Sequence, residues 1–106
     1  MSSFDNREKS FEKKFAHDEE TKFKINARRN RLLGLWAAEQ MGLEGDDADA
    51  YAKAVVRADF DEPGEEDVFR KVWGDFQEKE IDVSEHRVRR QMADLLETAR
   101  EQVTSE

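Results

Sequence analysis

The side chains able to do chemistry are few, and their spacing rules out most of it. His17 and His86 are the only imidazoles, and the 106 residues include no cysteine. Neither histidine sits in a recognisable nucleophile constellation, and the nitrogen and sulfur donors of a zinc site are missing. His17 is either a pH sensor, its pKa shifted by Asp18 and Glu20, or an ordinary solvated histidine. The acidic run EGDDADAY (44–51) lacks the sixth-position glycine and twelfth-position glutamate of an EF-hand loop, and capping a second helix with Asp46 or Asp47 explains it better. The carboxylates of DFDEPG (59–64) have no histidine, hydroxyl nucleophile or glycine-rich cradle beside them, so they read as a solvated acidic turn. Arg87, Arg89 and Arg90 form the one basic cluster with phosphate-binding chemistry. They recognise a nucleotide such as ATP or ADP, or they neutralise an acidic body. No Walker-type loop is present to decide for the nucleotide. The expectation is a non-enzyme with no metal and no cofactor.

The remaining chemistry is that of protein binding. Phe4, Phe11, Phe15 and Phe23 are spaced seven, four and eight apart, a narrow stripe on one flank of a helix. Arg7, Glu8, Glu12, Lys13 and Lys14 fill the rest. One aromatic per one to two turns is too little area to hold the helix on its own body. Asp5 and Glu8 resemble a capping box, while Glu8–Glu12 and Lys9–Lys13 set like charges four apart. The spacing therefore predicts a helix that is partial alone and completed on a partner.

The elements behind that stripe follow from composition. With 42% charged and 37% hydrophobic residues, the chain supports one small domain with a modest core and an unpacked arm. Residues 1–31 carry nine basic and six acidic side chains, a net of +3, and residues 32–106 carry nine and twenty, a net of −11. A basic arm leaves an acidic body. That body repels phosphates, so the partner is a protein surface and not nucleic acid. No apolar run approaches the roughly 20 residues of a bilayer span, and MSSFDNREK lacks signal-peptide features, which together predict a cytoplasmic protein without membrane insertion.

From Leu32 the pattern becomes that of a core helix, with Leu33, Leu35, Trp36, Ala37 and Met41, ending at Gly42 before Leu43. Gly34 inside it marks either the close approach of another helix or a kink. A second helix buries Tyr51, Ala52, Val55, Val56 and Phe60. Pro63 opens a third, which buries Val68, Phe69, Val72, Trp73 and Phe76. An Asp82–Glu85 capping box starts a fourth, carrying Val88, Met92, Leu95, Leu96, Ala99 and Val103, with His86 exposed at its start. The expected fold is all-α: a small four-helix bundle with Trp36 and Trp73 as its largest core residues and no strands. Its long first helix has an N-terminal part that projects or is disordered when free. Residues 1–31 form the mobile arm and 32–106 the anchoring bundle.

FDNRE at 4–8, FEKKFAHDEE at 11–20, KFK at 22–24 and ARRNRLLGLWAAEQMG at 27–42 resemble the zeta subunit of alphaproteobacterial F-type ATP synthases, a natural ATPase inhibitor family. The resemblance spans essentially the whole chain and is most specific in these front blocks. It implies a regulatory inhibitor whose N-terminal segment becomes a helix wedged into a catalytic interface between the alpha and beta subunits, reaching toward gamma and blocking the hydrolysis direction of rotation. Carried onto this chain, the wedge is roughly residues 2–22. Phe4, Phe11 and Phe15 would enter pockets, and Arg7, Lys13 and Lys14 would face acidic residues of beta. Asp5, Glu8, His17 and Lys22 complete the implied partner-binding set. The protein would be monomeric when free and peripheral on the membrane-bound enzyme. The family's association with nucleotide points, on this chain, to the neighbourhood of Arg87, Arg89 and Arg90. The competing reading is a non-catalytic helical adaptor or self-associating module, in which the first helix packs wholly on the bundle.

Overall fold

The computed structural model describes the backbone of residues 2–61 and 64–105 and the side chains of residues 19–59 and 64–105. The chain forms α1 (Ser2–Gln40), α2 (Gly45–Asp61), α3 (Glu65–Glu78) and α4 (Glu85–Thr104), with no strand among the described residues. α1 is the central member, packed chiefly on α2 and α4, while α3 closes on α2 and only marginally on α1. At 1.5 Å per residue the 39 residues of α1 extend about 58 Å, against about 30 Å for the 20 of α4. The molecule accordingly measures 65 × 25 × 22 Å.

α1 presents two i, i+4 rows to the other helices, Ile25–Arg29–Leu33–Ala37 and Asn30–Gly34–Ala38, and every member is buried. Among the described residues burial thus starts at Ile25, two turns before the dense apolar spacing begins at Leu32. The second row is made of small residues, and this is what lets α2 in. A Cβ built on Gly34 would lie 2.6 Å from the Ala52 Cα and 3.3 Å from the Val55 Cβ, so Gly34 marks a close helix approach. α1 stops at Gly42, whose φ of 76° suits glycine, with Gly42 N–H donating to the Glu39 carbonyl and Leu43 N–H to the Ala38 carbonyl.

The core joins Leu33 and Ala37 of α1 to Val55 of α2, Val68, Phe69, Val72 and Phe76 of α3, and Val88 and Met92 of α4. Trp36 and Trp73, expected as the largest core residues, are not among its buried members. Both are only partly buried against it, Trp36 edge-on to Phe76 at 5.7 Å and Trp73 stacked on Phe69 at 6.3 Å. Indoles are large enough that a bundle this small seats them at its margin.

Two helix starts also differ from expectation. Asp46 and Asp47 lie inside the first turn of α2, where they favour the helix dipole, and do not cap it. The N-cap of α4 is Ser84 and not Asp82: the Ser84 hydroxyl accepts from the Arg87 N–H at 3.1 Å, the three-residue offset a cap requires. Pro63, expected to open α3, lies outside the described residues. Gly64 precedes the helix, and its N–H donates to Asp59 Oδ1 at 3.2 Å, which gives one carboxylate of the acidic turn a structural task.

Candidate partner-binding site

The side chains of Phe4, Asp5, Arg7, Glu8, Phe11, Lys13, Lys14, Phe15 and His17 lie outside the described residues. Their backbone belongs to α1, which carries them on one continuous helix with the packed rows beginning at Ile25. Of the expected binding residues on this helix, Lys22 is described, and it is exposed. Beside it Phe23 is 56% exposed, a large apolar ring that the bundle leaves facing outward. Both line a 460 Å³ depression with Asn26, Arg29, Asp59 and Glu65.

Arg29 is the root of that depression and escapes sequence reading. It is only 2% exposed, and its Nε donates to Asn30 Oδ1 at 2.8 Å while one terminal nitrogen meets Glu65 Oε1 at 3.2 Å. Asn30 is wholly buried, and its Nδ2 has no hydrogen-bond partner among the described residues. The pair therefore ties the emerging half of α1 to the first residue of α3. The signal that finds Arg29 is its place in the i, i+4 row with Ile25 and Leu33, not its residue type, which favours the surface.

The arginines of α4 are directed to different neighbours. Arg89 donates to both carboxylate oxygens of Glu66, at 2.9 and 3.2 Å, and lies 3.9 Å over the Phe69 ring, bracing α4 on α3. Hydrogen bonding from Arg89 holds the Glu66 carboxyl below its usual range. Arg87 lines a separate small pocket with Trp36, Gln40 and Asp82, and Arg90 is exposed. His86 is exposed as well. Among the described residues no group of three or more His, Cys, Asp or Glu could hold a metal ion. Likewise, no described helix is long and apolar enough to cross a membrane.

Between α2 and α3 the polar chemistry is structural. Tyr51 donates to Asp75 Oδ2 at 2.7 Å, and Lys71 meets the same oxygen at 2.9 Å with its ammonium 5.4 Å over the Tyr51 ring. Burial first, then the bond to Asp75, pushes the Tyr51 phenol well above its ordinary pKa, so it stays a neutral donor.

These features define a small all-α protein organised on one long helix. The chain belongs to the ATPase inhibitor subunit zeta family, which it matches over residues 1–102. That membership makes it one of a family of inhibitory regulators of ATPase. It is also similar to a protein whose structure was solved by solution NMR, at 49% identity with a TM-score of 0.69, the match covering 78% of this chain and 94% of the other. No curated protein matches the chain.

Proposed function

We propose that this chain restrains ATP hydrolysis by an F-type ATP synthase, inserting the N-terminal part of α1 as a helix into a catalytic interface of the alpha, beta and gamma subunits. The family match over residues 1–102 carries this reading, because it takes in the arm as well as the bundle. The geometry supports it. α1 is far longer than its partners, and among the described residues its packed rows begin at Ile25; the helix before them is the part this reading assigns to another protein. On this reading Phe4, Phe11 and Phe15 supply apolar anchors and Arg7, Lys13 and Lys14 steer the encounter toward an acidic surface.

The test is the effect of the purified protein on hydrolysis and on synthesis by the ATP synthase of its own organism. Full-length protein lowers hydrolysis and spares synthesis, whereas a chain lacking residues 1–15 has no effect although its circular dichroism shows a folded bundle. A truncated chain that inhibits as well as the whole one sinks the reading. Replacing Phe11 and Phe15 together by alanine weakens inhibition by well over about tenfold if each ring is a buried anchor.

A further inference from the structure

A second surface, beginning at Phe23 directly after the proposed wedge, has the character of a docking groove. Along α1, Lys24, Arg28 and Arg31 stand at i, i+4 and i+7, and along the facing α2, Lys53 and Arg57 stand at i and i+4. Between the two rows lies an apolar floor of Phe23, Ala27 and Val56, and the open space above it is 670 Å³. Five cations around one groove are a local reversal of sign on a chain whose net charge is −8.

We propose that this groove docks an acidic, amphipathic helical segment on the surface of the ATPase head, holding the bundle in place while the N-terminal part of α1 engages the catalytic interface. The proposal rests on the reading above and names the chemistry of its anchoring contact. Charge complementarity selects the occupant: a helix with acidic residues along its flanks meets cations on both sides and sets an apolar stripe on Phe23 and Val56. The α1 row covers about 10 Å, two turns of such a helix.

Four of the five cations are available for exchange, while Arg28 donates to Gln102 Oε1 at 3.2 Å. Lys24 meets Glu20 at 3.9 Å and Arg31 meets Asp49 at 3.4 Å, with every one of these side chains about half exposed or more, so solvent weakens both pairs. Lys53 and Arg57 have no carboxylate partner among the described residues. A small phosphate compound suits the groove poorly. Its donors are spread in two rows on side-chain tips, and no helix N-terminus or glycine-rich backbone converges on one point. Nucleic acid is disfavoured by the acidic body around it.

The experiment titrates full-length chain, wild type and Lys53→Glu/Arg57→Glu, onto the purified catalytic head of the organism's ATP synthase, recording both Kd and residual ATP hydrolysis across a salt series. The expected result is binding about tenfold weaker or more for the double variant with a shallower salt dependence, yet the same maximal inhibition at saturation, because the arm is untouched. Lys53→Ala/Arg57→Ala, which adds no negative charge, gives a smaller loss in the same direction, and circular dichroism verifies both folds. Wild-type Kd and salt slope in both variants overturn the groove and leave the inhibitor reading standing. Failure of the wild type to bind the head at all overturns both. In NMR titrations of the free chain, shifts of the Phe23, Ala27 and Val56 amides at micromolar ATP, or on concentration-dependent dimerisation, assign the groove to a nucleotide or a second copy and overturn the peptide occupant.

Discussion

Gly34 and Ala52 set the distance between α1 and α2: a methyl on the glycine would fall 2.6 Å from the Ala52 Cα, inside any tolerated contact. The atom in the way is backbone, so relief requires the two helices to move apart. Alanine at Gly34 gains helix propensity of about 1 kcal/mol and loses more than that by overpacking, for a net destabilisation of about 1–3 kcal/mol. Gly74 of α3 is the control, since a Cβ there meets nothing within 4 Å. Gly74→Ala stabilises by about 0.5–1 kcal/mol. Urea unfolding of the two variants, followed by circular dichroism, distinguishes them by the sign of the midpoint change.

Arg29 raises the question of whether its charge or its stem holds α1 in place. Its partner Glu65 is 66% exposed while Arg29 is 2% exposed, so the ion pair is half in water. Glu65→Gln therefore costs less than about 1 kcal/mol. Arg29→Ala removes the buried stem and leaves a hole beside Ile25 and Leu33, for a loss of about 2–4 kcal/mol. Arg29→Met keeps most of the volume but takes from the buried Asn30 Oδ1 the donor it has in Arg29 Nε, and so falls between wild type and Arg29→Ala. Denaturant unfolding of the three variants settles the order. An equal loss in Glu65→Gln and Arg29→Ala would make the charge dominant instead.

The four helices and their breaks were legible because glycine, proline and acidic first turns punctuate them. The glycine of the α1–α2 contact was legible too, as one of two alternatives. Less so was where α1 joins the bundle. Ile25 has only Phe23 and Ala27 as apolar neighbours among Lys22, Lys24, Asn26 and Arg28, so apolar density points to Leu32, while Arg29 and Asn30, the least apolar members of their rows, are buried by geometry that composition does not show. The two tryptophans misled in the opposite way: hydrophobicity made them the largest core residues, whereas both are only partly buried against the core. The basic groove needed the fold, because Lys24–Arg28–Arg31 and Lys53–Arg57 are ordinary solvated repeats until α1 and α2 bring them together.

Glu66 makes the α3–α4 contact sensitive to acid. Its carboxyl is held below the ordinary value of 4.5, first by the hydrogen bond from Arg89 and then by the charge of Arg89. A depressed folded pKa means the contribution is present above 4.5 and is lost as the pH falls through the lower folded value. Glu66→Gln lowers the melting temperature at neutral pH, and the gap between variant and wild type closes as the pH falls below that window. The side chain is exposed, so the gap is small and shrinks further in high salt. Melting curves from pH 7 to pH 2, run in low and high salt, check both statements; a gap that widened in acid would contradict the assignment.

Glu80 ends α3 in a conformation that favours glycine. Its φ is 56°, and around it the Glu80 N–H donates to the Gln77 carbonyl at 3.2 Å while the Ile81 N–H donates to the Phe76 carbonyl at 2.8 Å. This is the hydrogen-bond pattern that closes α1 at Gly42, with Ile81 laid against the core in the place of Leu43. A side chain with a Cβ costs about 1 kcal/mol in the left-handed region, and glycine removes that cost while adding backbone freedom to the unfolded chain. Relief of the strain outweighs the added freedom, because both carbonyl contacts already depend on that geometry. Glu80→Gly therefore stabilises by up to about 1 kcal/mol, whereas a β-branched Glu80→Val destabilises by about 1–2 kcal/mol. Neither substitution touches α1, so both variants inhibit like wild type under the proposed function, and thermal melts beside hydrolysis assays separate the stability of the bundle from the action of the arm.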